Sequence, residues 1–259
     1  MCFRKKKEKA LPGRTLVWAH RGASAYAPQN TLAAFALARD MGADGIELDV
    51  HLTSDGKVLV CHDGEVDTTS DGKGLIKDMT LAEIKKLNFA YRADSTDFVD
   101  KYGFVTAPTL AEVYELLAPT GMTVNVELKT QDEELLRLCA EIAREYDMVE
   151  KVWYSSFFHD TLTRIRKYEP NALTAPLCGP IIGEPWDYVP SLEAQAMHPH
   201  HGIITGRPEI VGEFHKRGLR LHPWTVDDEE LMKTLVSLGV DALITDVPDV
   251  ALKVVKKAK

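Results

Sequence analysis

The feature that most constrains this chain is an alternation of strand and helix signals that runs nearly to its end. Short apolar runs of strand character fall at residues 15–19, 44–50, 57–62, 122–128, 149–155, 172–177, 194–198, 219–224 and 242–245. Between them lie amphipathic stretches of helical period, at 31–41, from 109, and at 133–146, 161–168, 209–217 and 228–238. Gly42, Gly218 and Gly239 stand where helices should stop, and Thr-x-x-Glu capping boxes open helices at Thr80 and Thr109. Strands separated by helices of this length pair in parallel, because the helix carries the chain back to the same end of the sheet. About eight such steps, without a Gly-x-Gly-x-x-Gly loop, favour an α/β fold of the TIM (β/α)8 barrel type over a doubly wound sheet. The run at 57–62 follows Ser54-Asp55-Gly56 so closely that a hairpin or tightly linked strand is expected there. Residues 64–107 break the rhythm. With Asp71-Gly72-Lys73-Gly74, a short helix from Thr80 and a polar section at 92–100, they read as an inserted excursion on the active-site face, too short to bury much core alone. The expected plan is a basic tail over 1–14 and one barrel domain over 15–259.

Composition bounds the partners. An apolar fraction of 45% over 259 residues is ample for a core, and a net charge of -8 leaves no nucleic-acid footprint. Positive charge gathers at the ends, in Arg4-Lys5-Lys6-Lys7 with Lys9 and in Lys253, Lys256, Lys257 and Lys259. These read as frayed, solvated termini capable at most of weak contact with an anionic membrane surface. No apolar stretch reaches the roughly 18 residues of a transmembrane helix, and the charged start has no signal-peptide apolar region. Cys2, Cys61, Cys139 and Cys178 form no Cys-x-x-Cys pair and are expected to be buried or incidental thiols. The expected location is cytoplasmic.

In a barrel of this kind, reacting groups sit at the C-terminal ends of strands. That rule collects His20 and Arg21 from the first strand, Glu47 and Asp49 from the second, and His62 from the next segment. It adds Glu127 and Lys129 from the strand at 122–128, and Trp224. Glu47 and Asp49 are two apart and share a face of their strand. Carboxylates held side by side repel unless a cation lies between them. Three carboxylates make an all-oxygen site for one divalent cation, Mg2+ or Ca2+ with Mn2+ a further candidate. Arg21 and Lys129 beside a cation make sense for an anionic ligand such as phosphate. Two histidines supply one group to accept a proton and one to give it.

These residues carry a family resemblance. His20-Arg21-Gly22, Pro28-Gln29-Asn30-Thr31, Gly45-Ile46-Glu47-Leu48-Asp49-Val50 and His62-Asp63 resemble the signature of glycerophosphodiester phosphodiesterases. Glu127-Leu128-Lys129, Ser156-Phe157, Trp224-Thr225-Val226 and Thr245-Asp246 follow in the family's order, so the resemblance spans about 15–250. It implies a metal-dependent barrel enzyme that hydrolyses glycerophosphodiesters to glycerol 3-phosphate and an alcohol. On the family pattern His20 and His62 are the acid–base pair, and Glu47, Asp49 and Glu127 the metal ligands. Arg21 and Lys129 hold the phosphate, and Trp224 lines the pocket. We read His20 as base and His62 as acid. Two positions depart from the pattern: Gln29 stands where the family usually has Glu, and Asp227 where many relatives carry Asn. The rival readings are a phospholipase D-type barrel acting on lysophospholipid or sphingomyelin, and a non-catalytic phosphate-binding barrel.

Other residues are expected to matter less. His198, His200 and His201 read as a polar rim, and His159 and His215 as surface or packing residues. His222 could approach the pocket. Asp67 and Asp71 could hold the insertion or a second cation.

Overall fold

The computed structural model describes residues 13–91, 97–180 and 183–258. In chain order it runs β1 (Leu16–His20), α1 (Leu32–Met41), β2 (Gly45–Leu52), β3 (Val58–Val60), α2 (Leu81–Ile84), α3 (Asp97–Tyr102), α4 (Leu110–Leu117) and β4 (Thr123–Leu128). It continues through α5 (Glu133–Glu145), β5 (Val152–Ser156), α6 (His159–Arg164), β6 (Leu173–Cys178), α7 (Pro185–Ser191) and β7 (Ala196–Pro199). The last third holds α8 (His201–Gly206), α9 (Glu209–Lys216), β8 (Arg220–Leu221), α10 (Glu229–Leu238), β9 (Ala242–Thr245) and α11 (Pro248–Lys257). The strands line up as β8-β7-β6-β5-β4-β2-β1-β9, with every ladder in that row parallel. The row curls until its ends meet. Asp241 N–H donates to the Leu221 carbonyl at 3.0 Å and Ile244 N–H to that of Pro223 at 3.0 Å. This is the (β/α)8 barrel, and β3 lies outside the ring, antiparallel to β2 as the hairpin reading expected.

The strand expected over 219–224 is only two residues long, because Pro223 has no N–H to donate and interrupts the ladder there. Four helices, α3, α7, α8 and α11, lie where the sequence reading expects none. For α11 the expectation of a frayed, solvated C-terminus is wrong. Pro248 starts the helix, and Ala251, Leu252, Val254 and Val255 bury one face while Lys253, Lys256 and Lys257 leave it. The charge run masked an amphipathic pattern. The basic run at Arg4–Lys9 lies outside the described residues.

Alternation along each strand divides the core in two. Val17, Ala19, Ile46, Leu48, Val124 and Val126 point outward under the helices. Inside the ring, Trp18 and Trp153 pack 6.3 Å apart among Ala175, Ala196 and Ala242, whose small side chains leave them room. The insertion has a small core of its own, in which Val66, Ile76, Ile84, Phe89 and Ala107 pack on Leu59 and Cys61 beside β3. Asp67 accepts from Gly74 N–H and Asp71 from Asn88 N–H, so both hold the insertion's turns.

Candidate active site

β1 ends at His20, and the chain then turns sharply. Arg21 (φ 56°) and Gly22 (φ 84°) both take left-handed backbone, as does Asn30 (φ 56°) where the loop enters α1. Arginine in this region is strained, and such strain persists where the surroundings over-determine it. At Gly22 there is no alternative residue. A Cβ there would lie 2.6 Å from the Cβ of Ala34 and 2.7 Å from its carbonyl carbon. Gly22→Ala should therefore cost about 1–3 kcal/mol of stability, visible as a lowered urea midpoint; an unchanged midpoint would show that the loop can relax.

The loop brings Arg21 over the carboxylates. Its N–H donates to Glu47 Oε2 at 3.1 Å, Nη1 donates to Gln29 Oε1 at 2.7 Å, and Nε stands 3.5 Å from Asp49 Oδ2. Gln29 thus acts as a neutral acceptor that orients the guanidinium. Asn30 Nδ2 donates to Asp49 Oδ2 at 2.8 Å. From β4, Lys129 Nζ pairs with Glu127 Oε1 at 2.9 Å and reaches 3.3 Å from Asp49 Oδ1. That second approach is off hydrogen-bond geometry, so Asp49 Oδ1 stays buried without a hydrogen bond, as do Arg21 Nε and Asn30 Oδ1.

Glu47, Asp49 and Glu127 are 4%, 1% and 9% exposed, and ligand oxygens from all three fit within 4.8 Å of one another. Parallel pairing sets Asp49 beside Glu127. Burial, reinforced by the charges of Asp49 and Glu127, pushes Glu47 well above the usual carboxylate range. Glu127 rises to about 7, from burial and then the charge of Asp49. Burial would raise Asp49 too, but Arg21, Lys129, His62 and the Asn30 hydrogen bond outweigh it and hold Asp49 at about 2. Three buried carboxylates, two of them reluctant to ionise unaided, and a buried Asp49 oxygen that accepts no hydrogen bond fit a hard divalent cation.

Each histidine is held by an aspartate. His20 Nδ1–H donates to Asp246 Oδ1 at 2.6 Å, and Nε2 lies 3.9 Å from Glu47 Oε2. His62 Nδ1–H donates to Asp63 Oδ1 at 2.7 Å, and Thr68 Oγ1–H donates to the other oxygen of Asp63. Burial lowers the pKa of His62, against the opposing charge of Asp49. With the proton fixed on Nδ1, Nε2 of each ring is free to exchange one.

The structure brings seven of the eight expected residues into one cluster: His20, Arg21, Glu47, Asp49, His62, Glu127 and Lys129. Trp224 instead joins the mouth of the barrel, edge-on to Phe157 at 5.7 Å and to His200 at 5.7 Å, with Nε1–H donating to the His198 carbonyl at 2.8 Å.

A model of the glycerophosphoryl diester phosphodiesterase family matches residues 20–250. The chain belongs to that family. It is 41% identical over 253 residues to the glycerophosphodiester phosphodiesterase of Caldanaerobacter subterraneus subsp. tengcongensis, covering 94% of this chain and 99% of the relative. A glycerophosphodiester phosphodiesterase of Bacillus altitudinis is 35% identical over 252 residues, covering 95% and 100%. Among solved structures, the Oleispira antarctica phosphodiesterase in complex with sn-glycerol-3-phosphate superposes with a TM-score of 0.85 at 29% identity, covering 95% and 97% of the two chains.

Within this diesterase family member, several residues were missed or misread from sequence. Asp246 and Asp63 had been noted only as landmarks, although each sits beside a histidine in space. His51 follows Asp49 by two residues on the same strand face, and its Nε2 lies 3.1 Å from the His62 carbonyl, steadying that turn. The period-2 run Glu47-x-Asp49-x-His51 was the available signal. Asp227 Oδ1 accepts from Asp246 N–H at 2.8 Å and from Thr245 Oγ1 at 3.0 Å, fixing the strand end that carries Asp246. His198 is not a rim residue. It is fully buried inside the barrel, sharing a 2.9 Å hydrogen bond with His222, and His222 packs 4.5 Å from Trp18.

Proposed function

We propose that this protein hydrolyses glycerophosphodiesters to glycerol 3-phosphate and an alcohol, with His20 and His62 as the acid–base pair. The observation that carries this is the pair of Asp-held histidines, Asp246–His20 and Asp63–His62, beside one buried carboxylate cluster flanked by Arg21 and Lys129. Glu47, Asp49 and Glu127 would hold a divalent cation, Mg2+ or Ca2+, which when bound supplies charge neutralisation at the phosphate. Arg21 offers a guanidinium fork to phosphate oxygens, and Lys129 a mobile charge that stabilises negative charge growing on phosphorus. One histidine removes the proton of the nucleophile, either the glycerol 2-hydroxyl or water. The other returns a proton to the departing alkoxide as the P–O bond breaks. Asp246 and Asp63 keep both rings in the tautomer this exchange requires. A cytoplasmic setting suits Cys61, Cys139 and Cys178, which are buried and unpaired among the described residues, and no helix among those residues is long and apolar enough to cross a membrane.

The test is release of glycerol 3-phosphate from glycerophosphocholine by the purified protein, with EDTA and after Mg2+ or Ca2+ is restored. Release that EDTA suppresses and one cation restores is the expected result. Full activity in EDTA would sink the metal part, and no release with either cation would shift the reading to a lipid substrate.

A further inference from the structure

Of the two cations beside the carboxylate cluster, only Lys129 has a carboxylate at close range. Its Nζ lies 2.9 Å from Glu127 Oε1 and 3.3 Å from Asp49 Oδ1. Arg21 stands differently. Among the described residues its guanidinium hydrogen-bonds one side chain, the neutral amide of Gln29, with Nη1 donating to Oε1 at 2.7 Å. Glu47 takes the backbone N–H of Arg21 and not its side chain. Nε stands 3.5 Å from Asp49 Oδ2, off hydrogen-bond geometry, and that oxygen already accepts from Asn30 Nδ2 at 2.8 Å. Arg21 is thus held in place by a group that carries no charge.

A carboxylate at position 29 would orient the guanidinium as well as the amide does, because both present an oxygen to Nη1. The two differ in charge. A carboxylate would cancel much of the positive charge that a bound phosphate meets, whereas the amide leaves it undivided. How much that matters depends on the ligand. A phosphodiester is a monoanion at neutral pH, but a phosphomonoester approaches a dianion because its second pKa is about 6. Coulomb energy is proportional to ligand charge, so an undivided Arg21 favours the dianion by about twice as much as the monoanion. In the proposed reaction the substrate is the monoanion and glycerol 3-phosphate is the dianion.

Resting on the diesterase reading above, we infer that Gln29 sets the preference of this site for dianionic phosphomonoesters over monoanionic diesters, so that the enzyme is restrained by its own product. Gln29 acts through Arg21 and touches no reacting atom in this scheme. It is a specificity-determining residue.

The test uses two inhibitors of nearly equal size and different charge, methyl phosphate and dimethyl phosphate, together with glycerol 3-phosphate. Each Ki is measured by competition with glycerophosphocholine at about pH 8, with the activating cation, Mg2+ or Ca2+, at saturation. The wild type should bind methyl phosphate at least about 10-fold more tightly than dimethyl phosphate. Gln29→Glu should weaken dimethyl phosphate about 3- to 10-fold, and methyl phosphate and glycerol 3-phosphate about 10- to 100-fold, a shift twice as large in its logarithm. Progress curves of the variant should accordingly stay linear to higher product concentrations. If Gln29 serves only to orient Arg21, the glutamate still accepts from Nη1 and the three constants stay together. Unmoved constants, or equal shifts for all three inhibitors, overturn the inference. So does a wild type that binds the two methyl esters equally, a result that needs no variant. If the wild type releases no glycerol 3-phosphate from glycerophosphocholine, the diesterase reading itself fails; the pattern of inhibition constants in an active enzyme bears only on Gln29.

Discussion

His20→Ala and His62→Ala should each lower kcat on glycerophosphocholine by about 10²- to 10⁴-fold, the usual contribution of a positioned proton-transfer group. Neither ring belongs to the apolar core. His20 is wedged between Asp246 and Glu47, and His62 between Asp63 and the open site. Removing either should leave the cooperative thermal transition in place, which separates loss of chemistry from loss of fold. Asp246→Asn should act in the same direction, because an amide NH2 turned towards Nδ1 moves the ring proton onto Nε2 and leaves the wrong tautomer. Steady-state assays beside thermal melts check all three. Near wild-type turnover in either alanine variant would remove that histidine from the mechanism.

A second large effect concerns stability and acid. His198 and His222 are fully buried inside the barrel; burial drags His198 down to about 3, and burial with the neighbouring His198 and Arg220 takes His222 well below its ordinary value. In the unfolded chain both titrate near 6.5. A histidine whose folded pKa is depressed favours folding while neutral, so its contribution is complete above about pH 7. It is lost as pH falls through 6.5, where at these two positions only the unfolded chain takes up protons. Glu47 and Glu127, raised in the folded protein, act in the opposite direction over this range unless a bound cation keeps them ionised. For His198 alone the loss is about 2 kcal/mol at pH 5 and about 3 kcal/mol at pH 4. The carboxylates held low, Asp49, Asp63 and Asp246, titrate below this window. Urea unfolding at pH 7.5 and pH 5, with a divalent cation present, should show the loss. His198→Gln should flatten the pH dependence even though it lowers stability at pH 7.5. Parallel losses in variant and wild type would assign the acid sensitivity elsewhere.

Much of this architecture is legible along the chain because it is local. Thr80 and Thr109 form the capping boxes their sequences encode, and Gly42 and Gly239 close α1 and α10 in left-handed backbone. The carboxylates were legible for a related reason: Glu47 and Asp49 interrupt an apolar strand at a spacing that gives them one face. What failed was less local. The basic residues of α11 hid its apolar stripe, and the histidine-rich stretch at 198–201 resembled a surface because a charged or polar run gives no sign of which strand face turns inward. In the structure Leu177 pairs with His198, and the ring's curvature places that side chain in the barrel's interior.

By itself, then, the sequence determined the parallel barrel, the strand ends that carry the reacting groups, and the residue types that bind phosphate and a hard cation. These follow from hydrophobic period, helix caps and donor chemistry, all of which act within a few residues. Only the tertiary structure joined His20 to Asp246, residues 226 positions apart, and tied the insertion to the catalytic loop through the hydrogen bond from Tyr102 OH to the Tyr26 carbonyl. It also decided that His198 and His222 face each other away from water. Such pairings arise when the ring closes and the insertion folds back over it, and the energy that fixes them comes from burial and electrostatics between segments distant in the chain.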